Sequence, residues 1–287
     1  MESIILKLVF PPPPSIFLNT LSLINIPSMA LGGLSELRGN NMPYSKFFIT
    51  NNNNNNNNVN ATNLQKQSSS QEKKTTEEVK VSSRLGMLIC YTPAFLATLA
   101  FYLLFPQESY SLRMLLLNSA LALHFFKRIF EVLCVHKYSG NMDLKTAVII
   151  GTGYLSSTAS MIYAQHLSQG LGEPTIDLKY IGSLLFLIGL SGNFYHHYLL
   201  SQLREKGEKK YKIPKGGLFG LVICPHYMFE IIEFLGFFFI SQTLHSFSIA
   251  IGTMFYLGGR SVATRQWYLT KFEDFPQHVK ALIPYLF

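Results

Sequence analysis

Charged residues are scarce in this sequence: they make up 14% of the 287 residues, whereas hydrophobic residues make up 48%. Typical soluble domains carry about 25% charged residues. The composition therefore argues against an ordinary soluble domain and favours a membrane protein. Acidic residues are the scarcer sign, with 16 Asp and Glu against 24 Lys and Arg, so the net charge is +8. A basic chain can bind nucleic acid, anionic lipid or a phosphorylated ligand, and the placement of the charges decides among these partners.

Cysteine is scarce as well, and its number is odd. The three cysteines, Cys90, Cys134 and Cys224, all lie in apolar runs. A disulfide framework normally shows an even number of cysteines in a short secreted chain. We therefore expect buried free thiols rather than disulfide bonds.

The N-terminal region lacks the pattern of a cleaved signal peptide. Residues 1–34 hold one lysine and four consecutive prolines before an apolar run. A signal peptide has a basic start and a small-residue cleavage site after its apolar core. We therefore expect the first apolar run to be a retained membrane span.

Long apolar runs are abundant. A helix needs about 20 residues to cross the hydrocarbon layer, and seven runs approach this length. The sequence therefore predicts an all-α polytopic membrane protein, a bundle of about seven transmembrane helices. The predicted spans are 16–34, 85–105, 114–135, 146–167, 180–200, 218–240 and 241–259.

The Lys and Arg residues predict the orientation of these spans. Cytosolic loops of membrane proteins carry an excess of Lys and Arg. A lumenal N-terminus and a cytosolic C-terminus fit this rule, because the opposite segments then hold only Lys7, Arg113 and Lys179. The cytosolic segments 35–84, 136–145, 201–217 and 260–287 hold 7, 2, 6 and 4 Lys and Arg residues.

The chain divides into three parts by composition. Residues 1–38 hold the first span. Residues 39–84 contain eight consecutive Asn residues and a glycosylation sequon at Asn60, and their polar composition cannot bury enough apolar surface to fold. We predict a disordered cytosolic loop there, and a six-span domain over residues 85–287.

The third predicted span carries ionisable residues on one face. His124, Lys127, Arg128 and Glu131 are spaced i, i+3, i+4 and i+7, which aligns them along a helix. Charged residues within a membrane face the bundle interior or a wet cavity and are often functional. We interpret this face as a candidate site near the cytosolic end, with a structural ion pair as the alternative.

Polar side chains also mark the adjoining ends of the fifth and sixth spans. Asn193 and His197 lie one turn apart, and His226 and Tyr227 lie four and three residues before Glu230. Each set therefore presents one polar face. Membrane di-iron enzymes need several histidine clusters, and the His-His doublet here is isolated, so we expect no metal.

The fourth span contains Gly151-Thr152-Gly153, which begins like a dinucleotide-binding fingerprint. Such a fingerprint needs a preceding strand and an acidic residue about 20 positions later, and the sequence has neither. We interpret these small residues as helix-packing positions.

Basic and aromatic residues follow the fifth and seventh spans. A lysine-rich loop that ends in Gly-Gly can cradle an anion at the start of the next helix, although an ordinary cytosolic loop has the same charge. Arg and aromatic residues after the last span can grip a phosphate and stack on a heterocycle. Together they predict a phosphorylated cofactor that enters from the cytosol. These residues are Arg204, Lys206, Lys209, Lys210, Tyr211, Lys212, Lys215, Arg260, Arg265, Trp267, Tyr268 and Lys271.

These stretches resemble a known family. GNFYHHYLLSQLR, YKIPKGGLF, CPHYMFEIIEFLGF, RQWYLTKFEDFP and ALIPYLF, all in the C-terminal half, are similar to the steroid 5α-reductase family, which includes very-long-chain enoyl-CoA reductases and polyprenal reductases. HFFKRIFEVLCVHKYS resembles the enoyl-CoA branch, and PPPPSIF and GLSELRG resemble plant members. The resemblance implies a seven-helix enzyme of the endoplasmic reticulum membrane. It would use NADPH, bound by about residues 136–287, to reduce a carbon–carbon double bond conjugated to a carbonyl.

The resemblance also implies roles for individual residues. Tyr227 matches the Tyr of the enoyl-reductase Pro-Asn-Tyr motif, and Glu230 matches a cofactor-contacting position. His197 stands where steroid reductases have Asp, and His226 where many members have Asn. With Arg265 added from the basic tail, the predicted cofactor-binding residues are Asn193, His197, Arg204, Tyr211, Lys212, His226, Arg260, Arg265 and Tyr268.

Two departures from the family pattern bear on catalysis. The family's Gln-Glu or Thr-Glu pair in the second span is Cys90-Tyr91 here, and the steroid reductases' Tyr after the third-span His is Phe125. We therefore predict that Tyr91 or Tyr227 donates the hydrogen bond to the substrate carbonyl, since a phenol is a donor at neutral pH. The predicted catalytic residues are Tyr227, Glu230 and Tyr91, and the predicted substrate-side residues are His124, Phe125 and Arg128.

The sequence therefore predicts an NADPH-dependent membrane reductase of a lipid substrate, which is a sterol enone, an enoyl-CoA or a polyprenal, with no nucleic-acid partner. One alternative is a membrane methyltransferase of the isoprenylcysteine type, which uses S-adenosylmethionine, because CPHY faintly resembles the Arg-His-Pro-x-Tyr motif of that family. The other alternative is a lipid-binding membrane protein without chemistry, because the second-span Glu is missing.

Overall fold

The computed structural model describes residues 7–44, 47, 79–104, 110–203, 208 and 210–287. In these residues the chain forms seven α-helices, close to the seven predicted apolar runs. The Asn-rich stretch of the predicted loop, its sequon at Asn60 and Arg204 of the basic loop lie outside the described residues. The helices are α1 (Ile16–Leu37), α2 (Ser83–Leu104), α3 (Leu112–Phe130), α4 (Leu144–Leu167), α5 (Lys179–Gln202), α6 (Pro225–Ser241) and α7 (Leu244–Lys271).

Three of these helices, α1, α2 and α4, are long and apolar enough to cross a membrane. The prediction of a helical protein with membrane-spanning segments is confirmed to that extent. The crossing of the other four helices and the lumenal and cytosolic sides stay predictions.

The sixth helix begins later than its apolar run predicts. Residues Gly217–Gly220 form a 3-10 turn that follows Gly216, and Gly216 and Gly217 have positive φ angles of 86° and 52°. α6 starts only at Pro225, because the fixed φ angle and missing N–H of proline suit the first helical position. The predicted start at residue 218 is therefore wrong.

The last helix continues well beyond its predicted end at residue 259. The Thr243 side chain accepts a hydrogen bond from the Ser246 backbone N–H and caps the start of α7, and the helix then runs to Lys271. Gly258-Gly259 does not end it, because Gly259 is a contact position: a Cβ added there would lie 2.2 Å from the Gly33 carbonyl oxygen of α1. The basic and aromatic residues from Arg260 to Lys271 therefore belong to α7.

The segment between α3 and α4 contains two features that hydrophobic periodicity does not predict. A π turn at Glu131–Val135 continues α3. A short strand β2 (Asn141–Asp143) pairs antiparallel with β1 (Lys80–Ser82), with Val81 opposite Met142. Lys80–Ser82 and the first residues of α2 belong to the predicted loop 39–84, and the described structure shows them in a strand and a helix instead.

Glycines set the close approach of α5 and α6. A Cβ added at Gly189 would lie 2.5 Å from the Glu233 backbone nitrogen, and one added at Gly236 would lie 2.6 Å from the Phe186 nitrogen. Small residues let helix backbones approach closely in membrane bundles. The same holds for Gly151, where a Cβ would lie 2.7 Å from a carbonyl oxygen of α2. The helix-packing interpretation of this glycine is confirmed.

Substituting Gly189 with Ala is expected to lower the free energy of unfolding by about 1–3 kcal/mol, because the added methyl group overpacks a backbone contact. Gly153→Ala is the matched control, since an added Cβ there meets nothing within 4 Å. Denaturant unfolding of the two variants in detergent micelles measures the difference. Equal stability of the two variants would contradict the close α5–α6 contact.

Candidate active-site cavity

A cavity of about 550 Å3 lies at one end of the helix bundle. It is bounded by the first turns of α2 and α6, by the last turns of α3, α5 and α7, and by the loops that follow α1 and the π turn. All of these chain ends belong to the side that the charge distribution predicts to be cytosolic. The volume falls in the range of about 300–1,000 Å3 that is typical of small-molecule sites.

Seven of the residues singled out from the sequence line this cavity. Their predicted convergence at one end of the bundle is observed, and their individual roles stay predictions. The wall also includes Tyr44, His136, Lys137 and Tyr138, which were not predicted to belong to the site. The seven predicted residues are Arg128, His197, Tyr211, Lys212, His226, Tyr227 and Tyr268.

The charged residues of the cavity wall have one sign. Arg128, Lys137 and Lys212 line it, and no Asp or Glu lines it among the described residues. Glu208 lies 2.8 Å from Lys212 Nζ and Glu131 lies 2.8 Å from Arg128 Nη1, so part of this charge is balanced by carboxylates outside the wall. The remaining positive potential favours an anionic ligand.

The polar face of α3 points into the bundle, as the sequence predicts. The side chains of His124, Lys127 and Glu131 are 1%, 7% and 0% exposed. His124 Nδ1 lies 2.7 Å from Glu233 Oε1. Lys127 Nζ donates to Asn193 Oδ1 and lies 3.9 Å from Glu233 Oε2. Buried ion pairs and hydrogen bonds therefore join α3 to α5 and α6 next to the cavity.

Glu131 is the centre of this network. Its Oε2 lies 2.8 Å from Arg128 Nη1 and 3.0 Å from His197 Nδ1. Its Oε1 lies 3.8 Å from Lys127 Nζ. His136 Nε2 is 3.9 Å from Oε2. One fully buried carboxylate therefore balances two cations and contacts a histidine of the cavity wall.

Arg128 connects this carboxylate to Tyr91. Arg128 Nη2 donates to the Tyr91 hydroxyl oxygen, and the guanidinium carbon lies 4.6 Å from the centre of the Tyr91 ring. The Tyr154 ring packs 5.6 Å from both Tyr91 and Phe125. Tyr91 and Phe125 therefore lie behind the cavity wall, and Tyr91 reaches the cavity through Arg128.

Asn193 and Glu230 lie beneath the wall at the start of α6. Asn193 Nδ2 donates to the His226 carbonyl oxygen at 2.8 Å, and it lies 3.5 Å from Glu230 Oε2. Both side chains are buried. They hold the backbone that carries His226 and Tyr227, and they do not line the cavity themselves.

Arg260 is buried outside the cavity. Its Nη1 donates to Glu36 Oε1 at 2.7 Å, and its guanidinium carbon lies 4.1 Å from the Tyr44 ring centre and 4.4 Å from that of Phe47. Tyr44 lines the cavity, so Arg260 acts on it through this ring. Arg260 itself does not line the cavity, and its cofactor contact stays a prediction.

Arg265 forms hydrogen bonds with the C-terminal segment. Its Nε donates to the Val279 carbonyl oxygen at 2.7 Å, and its Nη2 donates to that of Gln277 at 2.8 Å. The side chain does not line the cavity. A cofactor contact for Arg265 stays a prediction.

Glu131, His136 and His197 place possible metal-ligand atoms within 4.8 Å of one another. Burial lowers the pKa of His136 to about 3, and the neighbouring His197 and Arg128 contribute to this shift, so its ring is neutral. The Arg128 guanidinium, however, contacts the same carboxylate oxygen at 2.8 Å. A metal ion would have to displace that positive charge, so we assign no metal to the cluster.

Sequence reasoning missed the contributions of two residues to the site. Sequence reasoning placed Glu131 on the polar face of α3 as a member of a structural ion pair, and it did not predict the contact with His197. Tyr44 precedes the Asn-rich stretch, far from the rest of the site in sequence. No local pattern places it in the cavity, because its position depends on the Arg260 contact.

The fold and the site define a helical membrane-type protein with a basic, tyrosine-rich cavity at one end of its bundle. Residues 141–287, half of the chain, match the family model described as 3-oxo-5-alpha-steroid 4-dehydrogenase. The chain belongs to this family, and the resemblance recognised in the sequence is confirmed.

Curated proteins of the same name are similar to the chain. The human 3-oxo-5-alpha-steroid 4-dehydrogenase 2 is 34% identical over 170 residues, which cover 58% of this chain and 65% of the relative. The bovine 3-oxo-5-alpha-steroid 4-dehydrogenase 1 is 36% identical over 134 residues, or 47% of this chain and 51% of the relative. The mouse 3-oxo-5-alpha-steroid 4-dehydrogenase 2 is 29% identical over 210 residues, which cover 71% of this chain and 81% of the relative. The chain thus spans about half to two thirds of the length of the human and bovine relatives.

Proposed function

We propose that the protein is an NADPH-dependent membrane reductase of a carbon–carbon double bond conjugated to a carbonyl in a lipid substrate. The cavity carries this proposal, because its wall combines three cations with five tyrosines. The relatives are named for dehydrogenation of a 3-oxo-5-alpha-steroid at position 4. The reverse of that chemistry is the reduction of an enone, in which the double bond gains two hydrogens.

The residues present fit a phosphorylated dinucleotide. Arg128, Lys137 and Lys212 provide charge for phosphate oxygens. Tyr211 and Tyr268 provide rings against which a heterocycle can pack. Together with His197 and His226 on the wall, and Asn193 behind it, they form the set that we propose to hold the cofactor.

Reduction of an enone places a hydride on the β-carbon and a proton on the α-carbon, and negative charge develops on the carbonyl oxygen between these steps. Bound NADPH supplies the hydride. The Tyr227 hydroxyl is proposed to donate a hydrogen bond to that oxygen, and the Arg128 charge to stabilise it, since both residues line the cavity. A preorganised donor of this kind typically contributes about a hundred- to a thousandfold in rate.

Tyr91 and Glu230 are proposed to support catalysis from behind the wall. Tyr91 accepts a hydrogen bond from Arg128 and fixes the direction of the guanidinium. Glu230 lies near the amide of Asn193, which holds the His226 backbone next to Tyr227. Neither side chain lines the cavity, so each acts through a neighbour that does.

The substrate is proposed to be a 3-oxo-Δ4 steroid, with a trans-2-enoyl-CoA or a polyprenal as further members of the same chemical class. All three combine a conjugated carbonyl with an apolar body, which the membrane would deliver. We propose the endoplasmic reticulum membrane as the location, as the family resemblance implies. His124 and Phe125 stay predicted substrate-side residues within the bundle.

The test is turnover of the three substrate classes by the purified protein with NADPH, followed by mass spectrometry of the products. We expect one class to gain two hydrogens with equal consumption of NADPH. A parallel reaction with S-adenosylmethionine tests the methyltransferase alternative, for which the product would gain a methyl group. Lipid binding without any product would favour the lipid-binding alternative and contradict the proposed reaction.

A further inference from the structure

We propose that Glu131 is a positioning residue that keeps the proton of the His197 ring on Nδ1, so that Nε2 accepts a hydrogen bond from the ligand in the cavity. The ligand group concerned is a donor, such as the carboxamide NH2 or a ribose hydroxyl of the cofactor. In naming that ligand the inference rests on the proposed function, whereas the tautomer itself does not.

The environment of Glu131 makes its carboxyl group an acceptor only. The side chain is fully buried, with Arg128 Nη1 2.8 Å from Oε2 and Lys127 Nζ 3.8 Å from Oε1. An ionised carboxylate has no proton to donate. The 3.0 Å contact between Oε2 and His197 Nδ1 is therefore a hydrogen bond only when Nδ1 carries the proton.

Arg128 presents the competing arrangement. Its Nη1 is also 3.0 Å from His197 Nδ1, so it could donate to an unprotonated Nδ1. That arrangement would set the nitrogen lone pair against the carboxylate oxygen at 3.0 Å. Both arrangements involve an ion and are strengthened by its charge, but only the Nδ1–H form gives Glu131 Oε2 a donor from His197 as well as one from Arg128. The Nδ1–H form therefore prevails, with Arg128 binding Glu131 and Tyr91 instead.

A second proton on the ring is disfavoured by charge. An imidazolium would be a third cation beside Arg128 and Lys127 in a buried cluster. Such clusters are costly unless each charge is paired. The neutral ring with the proton on Nδ1 is the form that the neighbours stabilise.

His197 borders the ligand space. His197 lines the cavity while its Nδ1 contacts the buried Glu131. Nε2 is therefore the polar atom that the ring offers to the cavity, and within the described part of the chain no hydrogen bond engages it. A neutral imidazole with Nδ1 protonated is an acceptor at Nε2.

The π turn that follows α3 places His136 beside the Glu131 carboxylate. α3 ends at Phe130, and the His136 backbone N–H donates to the Glu131 carbonyl oxygen at 2.8 Å, five residues back. The wider turn brings the His136 ring to the same side of the helix as the Glu131 carboxylate, 3.9 Å away. Such turns are frequent at functional sites.

The tautomer is tested directly by nitrogen NMR of the wild-type protein labelled with 15N-histidine, without ligand. His197 is assigned by the signal lost in His197→Gln. We expect the chemical shifts of a neutral ring with a protonated Nδ1 and an unprotonated Nε2. A protonated Nε2 in the wild-type protein would overturn the inference, whether or not NADPH binds.

The functional consequence is tested by NADPH affinity in a rescue experiment. Glu131→Gln is expected to weaken NADPH binding about tenfold, because the Gln amide can donate to Nδ1 and move the ring proton to Nε2. Adding His197→Asp to that variant is expected to restore most of the affinity, because Asp accepts without depending on a tautomer. His197→Asp alone should bind poorly, since it places two carboxylates together.

These outcomes separate the inference from the proposed function. A loss of affinity in Glu131→Gln that His197→Asp fails to restore would show a merely structural role and overturn the inference. Absence of NADPH binding by the wild-type protein would overturn the proposed function and the named ligand. The NMR experiment would still test the His197 tautomer, because it is done without ligand. Thermal melting of each variant confirms that it is folded before affinity is compared.

Discussion

Tyr227→Phe is expected to lower kcat by about a hundred- to a thousandfold, because it removes the hydroxyl proposed to stabilise the developing oxyanion. Tyr227 lies in the first turn of α6 and lines the cavity, and its backbone is held by the Asn193 contact to His226. The phenyl ring keeps the shape of the wall. NADPH binding should therefore change by no more than about twofold.

Steady-state turnover and NADPH affinity of the variant, measured on the same preparation, check this prediction. Tyr285→Phe is the matched control, because Tyr285 is 78% exposed and should leave turnover unchanged. Unchanged turnover of Tyr227→Phe would reject the donor role. A large loss of NADPH affinity with little change in kcat would make Tyr227 a cofactor contact instead.

Arg260→Met is expected to lower the free energy of unfolding by about 3–5 kcal/mol, the usual cost of leaving one member of a buried ion pair alone. Arg260 and Glu36 are each 1% exposed, and their 2.7 Å contact joins α1 to α7. The substitution also removes the cation that lies between the rings of Tyr44 and Phe47. We expect the substitution to weaken the contact between α1 and α7 and to shift Tyr44 from its position in the cavity wall.

Denaturant unfolding in detergent micelles, followed by the fluorescence of the single tryptophan, measures this loss. Arg38→Met is the control, because Arg38 is exposed at the end of α1 and such changes usually stay within about 0.5 kcal/mol. The double variant Glu36→Gln/Arg260→Met should recover part of the loss, since it leaves no unpaired charge. A loss in Arg260→Met as small as in Arg38→Met would show that the pair does not stabilise the fold.

Helix positions were predictable from the sequence because burial in a bundle or in lipid needs long apolar runs, and these runs are visible. Helix ends were less predictable. Pro225 begins α6 inside an apolar run, and Gly259 allows close packing where a helix end was expected. Both depend on backbone geometry, which hydropathy does not report.

The site was predictable where helical spacing carries the information. His124, Lys127 and Glu131, which helical spacing aligns on one face, are indeed buried together. The role of Arg260 was not visible, because its partner Glu36 lies 224 residues earlier and pairing over that distance leaves no local pattern. The same limit applies to Tyr44, whose contacts with Arg260 and with the apolar cluster around Cys90 and Tyr91 join residues far apart in the sequence.

Binding of NADPH to the purified, folded protein tests the proposed cavity function most directly, by calorimetric titration in detergent. We predict saturable binding of one NADPH per chain, weakened by Lys212→Ala in the cavity wall and unaffected by Lys271→Ala at the exposed end of α7. Absence of saturable binding by protein that still melts cooperatively would contradict the proposed cofactor and the reaction derived from it.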